Sequence, residues 1–396
     1  MKINVDKIKQ HSLTGRITLD LVHKAFKTVK RNRGCAGVDR VSIDTYMKNL
    51  DENLHNLMKT LKDRSYKTQP LRRTYIRKER KGNKMRPLGI PIIRCRIAQE
   101  VVRKLVEPNF EKRFHENSFG FRPGRGCADA VRKVLEYLKG GYCYILDADI
   151  EGFFDNIPHE LIMKSVAARI ADGNILGLIQ KFLKSGVMEE GKRIPTTKGT
   201  PQGGVISPLL SNIVLDHLDW YLESKGYRFV RYADDFVVLC KTHSQAKKAL
   251  ADIKWLLEEE MELTLSKEKT HITHMSKGFD FLGFRIFGPN RVTIRDKSME
   301  KFKETIKEIT KRKHNLDKEV IKRLNAVTRG FVNYFNQPFS SVNTIFYRSD
   351  KWIRSRIRQM KKKRRWKTDN MRLLKKHIRN LGVISCWDLC RASQLC

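Results

Sequence analysis

Phe229-Val230-Arg231-Tyr232-Ala233-Asp234-Asp235-Phe236-Val237-Val238-Leu239 places two adjacent acids between two apolar runs. The flanks are β-branched and aromatic, which favours a strand on each side of a turn. Neighbouring carboxylates at such a tip raise each other's pKa, a cost that a bound cation removes. Hard divalent ions such as Mg²⁺ select carboxylate oxygens. The chain as a whole runs the other way: 81 Lys and Arg stand against 43 Asp and Glu, a formal net charge of +38 over 396 residues. An acid pair in so basic a chain reads as a cation site, against the plain alternative of an acidic β-turn.

A third acid belongs with this hairpin. Tyr142-Cys143-Tyr144-Ile145-Leu146-Asp147-Ala148-Asp149-Ile150 has the composition of a buried strand, and Glu151-Gly152-Phe153-Phe154-Asp155 follows it. Two strands with acids at their ends can lie side by side and converge on a pair of metal ions, the arrangement that phosphoryl transfer requires. One ion would activate a 3′-hydroxyl and the other would bind the triphosphate; beyond this the reaction needs positioning and charge neutralisation.

The surrounding residues suit that chemistry. Arg73–Lys78 and Met85–Pro91 read as a hairpin around Lys81-Gly82-Asn83-Lys84, so Lys78 and Arg86 flank its tip and can clamp phosphates. Pro201-Gln202-Gly203-Gly204 lets backbone approach a nucleotide, with Gln202 on its sugar or base. Phe154 can stack on a deoxyribose and exclude a 2′-hydroxyl, while Phe153 reads as core. Lys269 is placed to protonate departing pyrophosphate, with a surface lysine in a turn as the equal alternative. His243, His271 and His274 read as structural, since no third ligand accompanies the i, i+3 pair.

Composition narrows the class. A 40% apolar and 31% charged chain is ordinary for a folded protein with two or three domains. The basic excess predicts a polyanionic partner, nucleic acid before membrane. No apolar run reaches the length of a bilayer span, and Met1–Lys7 opens no signal peptide, so a cytoplasmic protein held at the nucleoid by nucleic acid is expected. The eight cysteines form no CxxC pair, which argues against a zinc module or disulfides; Cys386 and Cys390 read as packing residues.

Along the chain, residues 1–60 read as helical around the glycine-rich loop at 33–39. Helices are expected over about 94–111, 160–185 and 244–260, with another opening at Ser207-Pro208. A short strand pair is expected at 271–275 and 279–287. Beyond residue 295 the chain becomes dense in Lys and Arg, most of all at Lys361-Lys362-Lys363-Arg364-Arg365-Trp366. That shift suggests a separate helical module.

In order, the chain carries Arg86-Pro87-Leu88-Gly89-Ile90-Pro91, Ser118-Phe119-Gly120-Phe121-Arg122-Pro123-Gly124, Asp147–Asp155, Gly199-Thr200-Pro201-Gln202-Gly203-Gly204 through Asn212, Tyr232-Ala233-Asp234-Asp235 and Phe281-Leu282-Gly283-Phe284. This ordered set resembles bacterial group II intron-encoded reverse transcriptases, or maturases, over residues from about 30 to 365. The resemblance implies an α+β right-hand polymerase fold with fingers, an antiparallel-sheet palm and an α-helical thumb. It implies an N-terminal extension over 1–60, fingers and palm over 61–294, thumb or maturase region over 295–365, and a short basic segment over 366–396.

It makes Asp149, Asp234 and Asp235 the catalytic acids, with Asp149, the Ile150 carbonyl, Asp234 and Asp235 around two Mg²⁺ ions, and it supports dNTP contacts by Lys78, Arg86, Phe154 and Gln202. The turn after Lys78 is slightly long, so that role stays open among Lys78, Arg80 and Lys81. Gly37-Val38-Asp39 resembles the template-holding extension. Gly330–Phe335 and Trp352 resemble the thumb that grips template–primer and intron RNA. The implied activity is RNA-directed DNA synthesis on an RNA template from a DNA primer, with binding of a cognate intron RNA to assist splicing and mobility. A free-standing enzyme of phage defence or DNA repair, and a mainly RNA-binding splicing cofactor, are the alternatives. Longer members add an HNH-type nuclease; no such motif is expected here, and hence no cutting of a target strand.

Overall fold

A computed structural model of the chain describes residues 9–77, 85–200, 203–364, 366 and 368–392. It divides into two compact units. One comprises Met1–Ala130 with Leu146–Ile272, the other Val131–Ile145 with Thr273–Cys396.

The first unit is built on helices and two sheets. The long helix Ile93–Glu111 follows the hairpin Leu71–Arg77 and Met85–Ile90, which pairs antiparallel with Arg72 opposite Ile90 and Arg77 opposite Met85. Val187–Glu189 and Lys192–Ile194 extend that hairpin into a four-stranded sheet. A second sheet, most of whose residues belong to this unit, has the order Arg228–Tyr232, Asp235–Cys240, Tyr144–Asp149, His271–His274. Its first two strands are the acid-tipped hairpin, with Tyr232 opposite Asp235. Phe229, Val230, Phe236, Val237 and Val238 are all fully buried, so both faces of the hairpin are covered. Helix Ser207–Ser224 lies behind it, buried on most of its circumference, and Pro208 sits in the first turn, where its missing N–H costs nothing.

Two expectations are corrected. The helix expected over 160–185 is two helices, His159–Ala167 and Gly173–Leu183. Asp172 caps the start of the second: its carboxylate accepts from the backbone of Asn174 (3.0 Å) and Ile175 (3.2 Å), and also from Thr14. Gln10 pairs with the chain at Arg169 and Ala171 in the gap. The strand at 271–275 does not pair with 279–287. His271–His274 joins the acid-bearing sheet, and Phe279–Phe281 and Phe284–Ile286 form a separate antiparallel sheet with Val292–Ile294.

The second unit is mainly helical: Asp296–Ile309, Lys318–Phe335 and Asn343–Lys362, with short helices after them. Its core is aromatic. Phe302 stacks on Phe331 with ring centroids 3.9 Å apart, and Phe335 and Phe346 close around Phe331. Asp350, 4% exposed, caps the remote helix Cys386–Ala392: its carboxylate accepts from Cys386 N (2.7 Å), Trp387 N (3.0 Å) and Ser385 Oγ (2.6 Å). That cap seats Cys386 and Cys390, both fully buried. Replacing Asp350 with Ala strands one buried and one part-buried N–H group and should destabilise the protein by about 2 kcal/mol. Denaturant unfolding followed by tryptophan fluorescence checks this, and Asp350→Asn should lose less.

Among the described residues, all seven cysteines are free, and no helix is long and apolar enough to cross a membrane.

Candidate active site

The acid turn is tight and strained. Ala233 has φ +58°, a left-handed conformation that costs an alanine about 1 kcal/mol. The turn joins strands in register, so two residues must reverse the chain, and at least one must take positive φ. Three groups hold it there. Gly120 lies flat against it: a Cβ on Gly120 would stand 2.3 Å from Ala233 N and 2.8 Å from the Tyr232 carbonyl carbon. Arg231 N donates to Asn117 O, and Phe119 N donates to Arg231 O, both at 2.9 Å. The buried Arg231 side chain completes the set. Its Nε (2.7 Å) and Nη2 both donate to the Asp219 carboxylate, Nη1 donates to Asn212 Oδ1 (3.0 Å) and to Ala233 O (2.9 Å), and Nη2 also donates to Ser118 Oγ (2.8 Å). Asn212 Nδ2 in turn donates to Gly120 O at 2.8 Å.

Asp149 ends its strand in the same sheet. Its carbonyl accepts from Ser266 N (2.8 Å), and its carboxylate takes the Lys269 ammonium at 2.6 Å. The next residue, Ile150, is buried and bridges antiparallel to Leu265. Asp234 is half-buried, and its pKa is raised: burial is the main cause, the Asp149 charge adds to it, and Arg86 and Lys269 oppose it. Asp149, Asp234, Arg86 and Lys269 therefore act within one electrostatic neighbourhood. Asp235 is exposed. Among the described residues, no three His, Cys, Asp or Glu side chains are gathered closely enough to hold a metal by themselves.

Gly199 and Gly203 each pack closely on neighbouring backbone. Gly199, at φ +82°, packs on the backbone of Phe154 and Asp155, where a Cβ would stand 2.6 Å from Asp155 O. Thr200 N donates to Phe154 O at 2.7 Å. Gly203 packs against Gly89 O on the Arg86 strand, where a Cβ would come within 2.5 Å. Phe153 is buried, and Phe154 is half-exposed against it with ring centroids 5.6 Å apart. Lys78, with its alternatives Arg80 and Lys81, and Gln202 lie outside the described residues.

Sequence reading passed over Arg231, Asp219 and Asn212 as site residues. The available signal was an arginine inside a run of otherwise apolar strand residues, Phe229-Val230-Arg231, which demands a buried acid partner.

Residues 76–286, more than half of the chain, match the family model of reverse transcriptases (RNA-dependent DNA polymerases). Residues 299–382 match the maturase-specific domain of group II introns. The chain belongs to the group II intron reverse transcriptases. Protein YkfC of Escherichia coli (strain K12) is 35% identical over 288 residues, covering 63% of this chain and 75% of that protein. The group II intron-encoded protein LtrA of Lactococcus lactis subsp. cremoris is 30% identical over 347 residues, covering 72% of this chain and 57% of LtrA. This reverse transcriptase thus spans less than two thirds of LtrA's length. A solved Candida albicans telomerase matches 86% of this chain and 66% of its own at 11% identity, with a TM-score of 0.47. The family fold is the α+β right hand of fingers, palm and thumb.

A cavity of about 1150 Å³ in the first unit contains none of the acids above; Asp216, His217, Trp220 and Trp255 line it. Asp216 is 9% exposed, and its Oδ1 has no hydrogen-bond partner. Burial, with Asp219 adding, pushes its pKa up to about 7. Burial pushes His217 down to about 4. The signs oppose. As pH rises from about 4 to about 7 the unfolded chain ionises Asp216 before the folded one does, so its contribution to stability falls; the His217 contribution is lost as pH falls from about 6.5 to about 4. Asp216→Asn should therefore be more stable than the parent at pH 7, by roughly 3 kcal/mol, and lose that advantage near pH 4. Unfolding curves across that range check it.

Proposed function

We propose that this reverse transcriptase extends a DNA primer on an RNA template by two-metal nucleotidyl transfer, and that its helical unit binds a cognate group II intron RNA to assist splicing and mobility. The observation that supports the first part is the shared electrostatic neighbourhood of Asp149, Asp234, Lys269 and Arg86, with Gly199 packed on Phe154 and Asp155 and Gly203 packed on Gly89 of the Arg86 strand. Fingers and palm are assigned to 61–294, after an N-terminal extension over 1–60. The thumb is assigned to 295–365, with a basic segment beyond.

The donor set fits magnesium: two carboxylates in each other's field and a neighbouring backbone carbonyl offer only hard oxygens, and the raised pKa of Asp234 marks a charge that a cation would relieve. Asp149, Asp234 and the Ile150 carbonyl would hold Mg²⁺, with Asp235 beside them. Bound there, the ions supply activation of the 3′-hydroxyl and neutralisation of the triphosphate. Arg86 clamps phosphate, joined by Lys78. Phe154 packs on the sugar of the dNTP, and Gln202 orients it. Lys269 releases Asp149 to serve as general acid toward pyrophosphate.

Support for RNA binding by the second unit comes from its match to the maturase domain and from a pocket of about 550 Å³ lined by Arg285, Lys303, Arg348, Phe287 and Trp352. Arg285 and Arg291 both lie over the Phe287 ring. Bases stack on aromatic faces, and cations hold phosphates. The protein would reside in the cytoplasm, on nucleic acid.

Primer extension on an RNA template with Mg²⁺ and dNTPs tests the polymerase; absence of any product overturns it. Splicing of a cognate group II intron RNA at low Mg²⁺, with and without protein, tests the maturase role. RNA affinity should fall about a thousandfold between 50 and 200 mM salt, as counterion release demands of six or more phosphate contacts. A flat response in a filter-binding series would contradict it.

A further inference from the structure

We infer that Arg231 is a positioning residue for the acid turn: its guanidinium, fixed by Asp219, holds the Ala233 carbonyl and so keeps Ala233 left-handed and the following Asp234 in place. The inference rests on the polymerase reading and adds a part to it. All five N–H donors of the guanidinium are used, two on Asp219 and one each on Asn212, Ala233 and Ser118. Arg231 and Asp219 are both fully buried. A buried ion pair is poor evidence of stability, since apolar side chains of equal volume would serve as well. What an apolar pair could not supply is a donor to the turn carbonyl. Ala233 is the point of strain, with φ +58° and no glycine to absorb it. A residue in that region persists only where its surroundings over-determine it. Here Gly120 bounds one side and the arginine bonds the carbonyl. The same guanidinium reaches Ser118, of the segment that supplies Gly120, and Asn212, whose amide bonds Gly120 O. Three separate sequence motifs are thereby locked to one another through one side chain.

The test uses the full chain with Arg231→Lys, Asp219→Asn, and Arg231→Lys combined with Ala233→Gly. Lysine keeps the charge but cannot serve Asp219 and Ala233 together in fork geometry. The expected result is about tenfold weaker Mn²⁺ binding, read by electron paramagnetic resonance, the factor that one charge-assisted hydrogen bond carries. The Mg²⁺ needed for half-maximal extension should rise in parallel, and hydrogen exchange should speed up in the peptide covering 228–236. RNA affinity should stay unchanged. Glycine at 233 takes positive φ without strain, so the double variant should recover several-fold of the lost Mn²⁺ affinity.

Parental Mn²⁺ affinity and exchange in Arg231→Lys, or no recovery in the double variant, overturns the clamp. If Arg231→Lys does not fold, Asp219→Asn, which keeps the volume and removes the charge that fixes the arginine, gives the same readouts. The two failures separate cleanly. A parent protein that extends no primer sinks the polymerase reading. A parent that extends, loses extension on Asp234→Asn, and tolerates the Arg231 and Asp219 changes in metal affinity sinks only the clamp.

Discussion

Asp234→Asn is expected to abolish primer extension while leaving the protein more stable than its parent. The two effects come from the same carboxylate. Asp234 is half-buried at the tip of the palm hairpin, and burial together with the Asp149 charge raises its pKa. A raised carboxyl pKa means that the ionised form is costly in the folded state, and that cost is felt once pH passes the unfolded value. Asparagine keeps the shape and removes the charge, so thermal unfolding at pH 7 should move up, with the gain shrinking as pH falls toward 4. The chemistry moves the other way. On the proposed two-metal reading the substitution removes an anionic metal ligand, and a barrier higher by about 4 kcal/mol is a thousandfold in rate. Extension should drop by at least about that factor. RNA affinity, proposed to rest on basic residues elsewhere, should change less than about twofold. A variant that melts higher and extends nothing would place Asp234 among residues kept for work at a cost in stability. Extension surviving at a tenth of the parental rate would remove Asp234 from the metal set.

Much of this architecture was legible because local rules and long-range packing agree. The acid hairpin could be read from its β-branched flanks, and its strands pair in the register a two-residue turn dictates. Helix Ser207–Ser224 announced itself by a proline in the first turn. What could not be read was set by partners far off in sequence. Asp172 divides a helix because Thr14 and Gln10 dock beside it, and no periodicity within 160–185 records that. His271–His274 belongs to the palm sheet because strand Tyr144–Asp149 is there to receive it, not because of its own residues. The acids proposed for the site stand out singly in the sequence, since each is a carboxylate among apolar strand residues. The scaffold that holds them does not. Arg231 finds its partners 12, 19 and 113 residues away, and only folding brings Asp219, Asn212 and Ser118 around it.

The glycine at 120 gives the second large effect. Its φ is not positive, so alanine would be at ease with the backbone conformation; the objection is space alone. The added Cβ would stand 2.3 Å from Ala233 N and 3.1 Å from Ala233 Cα, and these are backbone atoms of the acid turn, which no rotamer change can move aside. Either the 118–122 segment or the turn must yield by about 1 Å. The segment is anchored by side chains: Arg122 donates to His115 O (2.6 Å) and Ser118 O (2.8 Å), and Asn212 holds Gly120 O. The turn, strained at Ala233, gives way, and Asp234 moves with it. A displacement of that size at a reacting centre costs about a hundredfold. Gly120→Ala should therefore lose about two orders of magnitude in extension rate with RNA affinity intact. Gly177→Ala is the matched control: it lies inside helix Gly173–Leu183 with nothing within 4 Å of the added carbon, and should stabilise the fold by about 0.5–1 kcal/mol with no loss of rate. Steady-state extension and thermal melts on the two variants decide the matter. If Gly120→Ala merely lowers the melting temperature, and the folded fraction extends at the parental rate, the turn does not depend on that contact.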